Sequence, residues 1–575
     1  MKIILGINAY HADSSACILV DGKLIAAIEE ERINRIKHYS GYPIESIREC
    51  LKIAELKEDD VTDIAFNTKP NSNFLPKIFF LSKNFSIKDN NLTKKIKKKI
   101  NIHHPLIKNF TLNKKVKFHF IEHHLSHLAS AFYPSKFKKA YGLSIDGSGD
   151  FVTMAIAECN EKKINIKEKI FFPNSLGIFY HAMTQFLGFE NYGDEYKVMG
   201  LAAYGTPRFF NKIKNNLFIN PEKKNYELNL NYFNHQNKNF KYIADEMLEI
   251  DQIYSSKLLE LFSSELKTFD KDQFNKDFAS SVQKVYEFFF EKILTKIYKE
   301  NYSKNLIFAG GCALNSSANK MITNDKKLFE KVYIPYAPGD NGGALGAAFV
   351  VSMKYNNEII DSETPFLGKK FSSQDTKLIL ESEFYKNKIT YSEFDNHTDL
   401  YQKAAELISQ GNVIGWFQGK MEFGPRALGN RSILADPRNP EMKNIINRKI
   451  KRRESFRPFA PSIIKEFQNQ WFDTDYINPY MSSLAYVKED KKELIPAVTH
   501  IDGTARFQTV DNDKNPQFFG LLKSFYNLTG VPVLLNTSFN ENEPVVMKPE
   551  ESLNCLLRTD MDAVFINNFF VKKLS

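Results

Sequence analysis

EHHLSHLASAFYPSKFKKAYGLSIDGSGD, residues 122–150, sets two chemical signals side by side. His123 and His127 stand at i and i+4, so on a helix both imidazoles leave one face a turn apart. The apolar run Tyr141 to Ile145 reads as a strand ending in Asp146 and a turn of Gly147, Ser148, Gly149 and Asp150. Two stacked histidines with a carboxylate at a nearby strand end suit a divalent transition metal. A glycine-rich turn after a strand lets backbone N–H groups approach a phosphate. A surface helix with stray histidines beside an ordinary turn has the same local pattern, so the rest of the chain decides.

The strand Tyr141–Ile145 and its turn are followed by the strands Val152 to Glu158 and Lys163 to Lys169. The N-terminus follows the same plan. A strand from Lys2 to Asn8 leads into a loop with His11 and Asp13, then Ser15 to Val20, an Asp21-Gly22 turn and Lys23 to Glu29. A DG pair between apolar runs is a hairpin signal. Strand, polar or glycine loop, hairpin, occurring twice, reads as an internal duplication. The actin-like ATPase and sugar-kinase superfold is built on that plan, with one phosphate-facing hairpin loop in each half.

Pro43 to Leu56 reads as a helix and Asp63 to Asn67 as a strand. Beyond the second hairpin, SLGIFYHAMTQFLGF is helical in period, and the loop ENYGDEYKVMGLAAYG gathers acidic, aromatic and glycine residues around Lys197 as a substrate or nucleotide contact. The amphipathic helix Phe278 to Glu300 leads into the strand Leu306 to Phe308 and then AGGCALNSSAN, where Gly310, Gly311 and Asn315 open the next helix. APGDNGGALGAA repeats the idea, with Asp340 ahead of Gly342 and Gly343. Glycines at a helix start leave N–H donors and the positive dipole end facing a ligand. Gly147, Ser148, Gly149, Gly310, Gly311, Asn315, Gly342 and Gly343 are the candidate phosphate contacts, to ATP on the actin-like plan, although the loops at 310 and 342 also read as plain tight turns. Neither loop is a Walker A or GxGxxG fingerprint.

A chain of 575 residues exceeds one ordinary core, so two domains are expected. The composition, 43% hydrophobic and 25% charged with no bilayer-length apolar run, is globular and excludes an integral membrane protein. The opening MKIILGINAYHADSS meets Asn8, His11 and Asp13 too early for a signal peptide. Five scattered cysteines form no CxxC pair, which argues against a disulfide framework or thiolate zinc site and for the cytoplasm. Much of the +10 net charge is local, in KKIKKKI (94–100), read as a solvated insertion, and in KIKRR (449–453). Attraction of the first run to an anionic surface is the weaker reading.

The pattern turns polar between Lys354 and Asn396, which places the junction there and divides the chain into 1–365 and 366–575. The second domain opens with the helix Asp399 to Gln410 and the strand Val413 to Phe417. Arg426 and Arg431 follow in a Gly/Pro-punctuated loop, Arg457 comes after a basic helix, and Arg506 follows Thr504 and Ala505. GVPVLLNTSFN presents Asn536, Thr537 and Ser538 at a strand end. Guanidinium forks bind phosphate or carboxylate, and hydroxyl and amide groups complete such a site. A buried cationic site calls for an anion. No aromatic-interleaved basic stripe marks a nucleic-acid surface.

GINAYHADSSA, EHHLSHLASAFYPS, SIDGSGD, EYKVMGLAAYG, GGCALN, APGDNGGALGAA, FGPRALGNRS and LLNTSFN, in order over nearly the whole chain, resemble the signatures of the nodulation and antibiotic O-carbamoyltransferases, the NodU/CmcH family. The resemblance implies an α/β fold with an N-terminal actin-like (ASKHA) domain of the threonylcarbamoyltransferase type and a C-terminal YrdC-like domain. It implies that carbamoyl phosphate is cleaved in the second domain, the carbamate adenylated by ATP with Mg2+, and the carbamoyl group passed to the hydroxyl of a small acceptor, a sugar or natural product, in the first. Metal ligands would be His123, His127, Asp146 and Asp340, around Fe2+, although the donor set also suits manganese or zinc. Carbamoyl phosphate contacts would be Arg426, Arg457, Arg506, Asn536 and Ser538. His11 would be the base on the acceptor hydroxyl, with Lys197 and Arg457 as further catalytic groups. Nucleic acid is not an expected partner, and oligomeric state stays open, a dimer being one expectation. The alternatives are a non-catalytic ATP-binding actin-like protein and a tRNA-threonylcarbamoylation-type enzyme. A hydrogenase-maturation carbamoyltransferase would add an acylphosphatase domain and CxxC zinc motifs, which this sequence lacks.

Overall fold

A computed structural model describes residues 1–84, 101–161, 163–223, 225–237, 240–244, 246–355 and 358–574. The KKIKKKI run lies outside them. The chain divides into two compact units, Met1–Ile322 with Lys326–Glu363, and Thr323–Asp325 with Thr364–Ser575. Both are mixed α/β.

Unit 1 opens with β1 (Ile3–Asn8), β2 (Ser15–Val20) and β3 (Lys23–Glu29), followed by α1 (Ile44–Ile53), β4 (Asp63–Phe66), α2 (Phe74–Asn84) and β5 (Lys117–Phe120). The second half carries α3 (His123–Ser135), β6 (Lys139–Gly149), β7 (Val152–Asn160), β8 (Lys163–Phe171), α4 (Leu176–Phe186), α5 (Glu195–Ala202), α6 (Lys271–Lys299), β9 (Asn305–Ala309), β10 (Lys331–Tyr333) and α7 (Asn341–Lys354). One sheet has the order β3-β2-β1-β4-β5 and the other β8-β7-β6-β9-β10. In each, three hairpin-linked antiparallel strands are continued by two parallel ones. The strand–loop–hairpin plan read from the sequence thus occurs twice with one topology.

Burial explains the strand compositions. β1 is buried at every residue because it lies inside the sheet with α7 packed on one face and residues of α1 in the core on the other. The edge strand β8 alternates exposed and half-buried positions, with lysines that discourage pairing with another chain. Between the sheets, α7 packs on β1 and on α3, while α3 packs on β6 and β9. Two glycines permit the close approach. A Cβ on Gly346 would lie 1.7 Å from the Ser126 carbonyl of α3, and one on Gly6 would lie 2.2 Å from the Ala344 carbonyl of α7. The two helices that flank the candidate ligands therefore touch backbone to backbone.

Several boundaries differ from the sequence reading: the loop around Lys197 folds in part as the helix α5, and the helix read from Phe278 begins at Lys271 as α6. Asp146 to Gly149, expected as a turn, belongs to β6, which stays paired with β7 across an irregularity between Ile145 and Gly149. The extra residues project Asp146 sideways from a strand rather than from a loop.

Unit 2 holds β11 (Ile389–Glu393), α8 (His397–Ser409), β12 (Ile414–Phe417), β13 (Arg431–Ala435), β14 (Ala460–Ile464), β15 (Gln508–Val510), α9 (Pro516–Thr529), β16 (Val533–Ser538), α10 (Pro549–Arg558), β17 (Ala563–Ile566) and β18 (Phe569–Lys573). Its mixed sheet runs β11-β18-β17-β12-β13-β16-β14-β15. Trp416, Ile433, Leu434, Leu521, Leu534 and Phe565 belong to one buried core, with α8 packed against α9.

Candidate functional site

In unit 1 the side chains of His123, His127, Asp146 and Asp340 converge. The Nε2 atoms of the two histidines lie 2.9 Å apart. His123 Nε2 is 3.2 Å from Asp146 Oδ2 and 3.3 Å from Asp340 Oδ1, and His127 Nε2 is 3.4 Å from Asp340 Oδ1. All four donor atoms fall within 4.8 Å of one another. Three local causes bring them together. The i, i+4 spacing on α3 stacks the histidines, the β6 irregularity aims Asp146, and the α7–α3 contact brings Asp340 to them. Gly149 completes the fit, because a Cβ there would lie 2.0 Å from the His123 ring.

Burial opposes charge on these groups, yet the pairing outweighs it. His123 is pushed up to about 10 by Asp146 and Asp340, and His127 is raised as well. Both carboxyls are held below their usual range by the two histidines. Two imidazole nitrogens and two carboxylate oxygens facing one point fit a divalent cation. A second grouping, Asp13, Glu31 and His38, is similarly close, but Glu31 is already held by Arg32 at 2.9 Å and by the His38 N–H at 2.8 Å.

His11 lies against this cluster, its ring 4.8 Å from that of His123 and tilted by 32°. Asn8 shapes the loop that carries it, donating to the carbonyls of Ala12 and Asp13 at 3.0 Å each. Lys197, on α5, pairs with Asp194 at 3.0 Å and lies over the Phe189 ring.

The glycine loops separate into two kinds. Gly147 has open space where a side chain would be, and Ser148 is exposed, so these two can face a ligand. The Gly311 N–H donates to Asp146 Oδ1 at 2.8 Å, fixing the carboxylate rather than waiting for a phosphate. Gly310, at φ 89°, donates to the Pro338 carbonyl, and Asn315 caps a short helix and exchanges hydrogen bonds with Gln283. Gly342 and Gly343 were expected to offer phosphate-binding donors. Their N–H groups are instead used by Gly339 and Asp340, and Cβ atoms there would strike the Ala337 carbonyl and Asn67. Close packing is what those two glycines serve.

In unit 2, among the residues expected to hold an anion, Arg506 is half-buried. Burial, then Arg426 and Arg453 beside it, hold its guanidinium well below the usual arginine range. Its Nε is buried without a hydrogen-bond partner. Asn536 is buried and donates to Ser462 Oγ at 3.0 Å and to Gln508 and Ala427, which leaves its Oδ1 with no donor. Glu422 shapes the loop that carries Arg426, accepting the N–H groups of Leu428, Asn430 and Arg431 at 2.8–3.1 Å. Arg457 meets Glu454 at 3.5 Å. Arg431 takes no part. It is fully buried, stacked 3.6 Å from the Phe417 ring centre and bonded to the carbonyls of Gln418 and Asn430.

Lys451 and Arg453, legible in the sequence only as part of a charge run, lie beside these residues. Lys451 is buried, and its amine donates to the Ser538 carbonyl at 2.6 Å, to Ser538 Oγ at 3.3 Å and to Asn540. Burial, with Arg453 and Arg457 nearby, keeps it far below the usual lysine range. Arg453 donates to Asn447 at 2.7 Å. Between them Arg452 adopts a left-handed φ of 44° and pairs with Glu541 at 3.0 Å.

Comparison with known proteins matches residues 3–349 to the carbamoyltransferase N-terminus and residues 405–573 to the carbamoyltransferase C-terminus. Nodulation protein NolNO of Sinorhizobium fredii is 35% identical over 580 residues, 98% of this chain and 80% of that protein. An uncharacterized protein of Synechocystis sp. is 35% identical over 617 residues, 100% of this chain and 97% of its own. Among solved structures, (R)-2-hydroxyglutaryl-CoA dehydratase component A of Acidaminococcus fermentans covers 62% of this chain and 100% of its own, at 14% identity and a TM-score of 0.34. HypF of T. kodakarensis covers 62% of this chain and 50% of its own, at 16% identity and a TM-score of 0.30.

Proposed function

The chain belongs to the carbamoyltransferase family and is an enzyme of that kind, and from that premise we propose an ATP-dependent O-carbamoyltransferase whose donor is carbamoyl phosphate. Unit 2, read as YrdC-like, takes carbamoyl phosphate and cleaves it with water to carbamate and phosphate. Unit 1, read as actin-like, joins carbamate to ATP, releasing pyrophosphate and forming carbamoyl adenylate. The acceptor hydroxyl then attacks the carbamoyl carbon, AMP leaves, and the proton goes to His11.

Two observations carry this reading: Arg506 has a buried guanidinium N–H with no partner, and Asn536 a buried amide oxygen with no donor. An anion alone answers only the first. Carbamoyl phosphate has a phosphate for Arg506, Arg426 and Arg457 and an amide NH2 for Asn536 Oδ1. Lys451 orients Ser538 toward the same ligand. Arginines and a lysine that repel one another without ligand neutralise phosphate charge as it develops during cleavage.

In unit 1, His123, His127, Asp146 and Asp340 would hold a divalent ion, Fe2+ by family resemblance, which would polarise the adenylate carbonyl or phosphate when bound. His11, beside His123, is placed to accept the acceptor proton. Asp150 and Gly311 keep His123 and Asp146 in register. Carbamate is a poor electrophile, and joining it to AMP gives it a leaving group.

The deciding experiment supplies ATP and carbamoyl phosphate without acceptor and follows products by mass spectrometry. Carbamoyl adenylate with pyrophosphate is the expected result. ATP converted to ADP with carbamoyl phosphate intact would refute the donor assignment and favour an actin-like kinase.

A further inference from the structure

Residues 69–117 contain thirteen lysines and a single acidic residue, Asp89. That excess is larger than the +10 of the whole chain, so all other residues together are slightly acidic. The net excess is thus matched by this one stretch, the basic run at 449–453 being offset elsewhere, and within the described residues the stretch also carries α2. On α2, Phe74, Leu75, Ile78 and Phe79 are 63%, 79%, 46% and 63% exposed. Positions i, i+1, i+4 and i+5 lie on one helix face. Other large exposed apolar side chains among the described residues are scattered, and none of the other helices carries more than one. Single exposed apolar residues are ordinary, whereas a contiguous set marks a contact surface.

The helix is held to unit 1 by its other side. Phe80 meets the rings of Phe151 and Phe172 edge-on at 5.6 and 5.3 Å. Lys77 donates to the Pro70 carbonyl at 2.9 Å. The turn before α2 is bonded to Asp150 through the Thr68 hydroxyl and the Lys69 and Asn73 N–H groups. An element anchored in this way presents its outer apolar face as part of the folded surface.

We infer that the outer face of α2, with Lys69 and Lys77 at its margin, docks this enzyme on an anionic phospholipid surface. An apolar helix face and a local lysine excess are the two signals that together give stable, reversible interfacial binding. Nucleic acid would answer the charge, but Leu75 and Ile78 gain nothing from stacked bases, whereas acyl chains accept aliphatic and aromatic side chains alike. No described helix is long and apolar enough to cross a membrane, so the contact is peripheral. The inference is independent of the carbamoyl reaction.

The test is co-sedimentation of the full-length protein with phosphatidylcholine vesicles, with and without phosphatidylserine. The anionic vesicles should bind at least about tenfold more protein at low salt, and high salt should remove the difference. Phe74→Ser with Phe79→Ser should lower binding by about tenfold with an unchanged unfolding midpoint, both side chains being exposed. A separate Leu75→Trp variant should show a blue-shifted emission on anionic vesicles. Equal binding to both vesicle types, or binding and emission indifferent to these substitutions, would overturn the inference. So would tight binding of a single-stranded oligonucleotide that the phenylalanine substitutions abolish while vesicle binding stays absent.

Discussion

The backbone N–H of His123, the first residue of α3, donates to Asp150 Oδ2 over 3.0 Å. The same carboxylate takes the Thr68 hydroxyl at 2.8 Å and the Lys69 N–H at 2.7 Å. One buried side chain at the end of the β6–β7 connection therefore fixes both the start of the histidine helix and the turn leading to α2.

Asp150→Ala removes that anchor and leaves buried N–H groups without an acceptor, at a cost of about 1–3 kcal/mol in stability. The larger effect should be on the ligands it orients. Affinity for a divalent ion, followed by calorimetric titration of the metal-free protein, should fall about 10–100-fold, the usual range for losing a group that supports a ligand. Unchanged affinity would show that α3 holds His123 unaided.

Arg506 makes the opposite kind of prediction. Its half-buried guanidinium, with Nε buried, lies beside Arg426 and Arg453, so without ligand it works against folding. Arg506→Ala should leave the ligand-free unfolding midpoint unchanged or higher, while the rise in midpoint with carbamoyl phosphate disappears. Thermal scans with and without carbamoyl phosphate read both. Arg457→Ala should abolish turnover of carbamoyl phosphate, and retained turnover would remove Arg457 from the site.

His11→Asn separates the two halves of the reaction. If His11 accepts the acceptor proton, adenylate formation without acceptor should continue at near the original rate. Transfer should fall by about 100-fold or more, the usual worth of a general base. Quenched time courses that resolve adenylate from carbamoylated product distinguish this from a loss of metal, which would stop both steps.

The legible parts of these sites were those written in local spacing. His123 and His127 declare themselves by i, i+4, and Asp146 by its place at the end of an apolar run. The glycines of APGDNGGALGAA carried a correct signal with two readings, and the choice depended on Asn67 and the Ala337 carbonyl, which are remote or unmarked in sequence. Lys451 and Arg453 were hidden in a charge run because inward and outward positions depend on the left-handed turn at Arg452, which no neighbouring glycine announces. The β6 extension was missed for a related reason, since Gly147 and Gly149 suggest a turn whereas pairing with β7 is a tertiary fact.

A last prediction concerns pH and lies away from both sites. His235 is buried between the rings of Phe172 and Phe233, and its Nε2–H donates to the Pro173 carbonyl at 2.9 Å. Burial lowers its pKa from 6.5 to about 4. As pH falls below 6.5, the unfolded chain takes up a proton that the folded chain refuses, so stability is lost progressively until about pH 4 and then levels off. At about 1.4 kcal/mol per unit of pH the loss from this residue is about 3 kcal/mol. His124, also buried, and the half-buried His500 are lowered too, push in the same direction and make the total slope steeper. His235→Gln keeps an N–H for Pro173 but cannot titrate, so urea unfolding measured across that window should show a shallower decline than the unsubstituted protein. An identical slope would mean that the folded protein admits the proton at His235 without cost, through movement of the Phe172 and Pro173 segment.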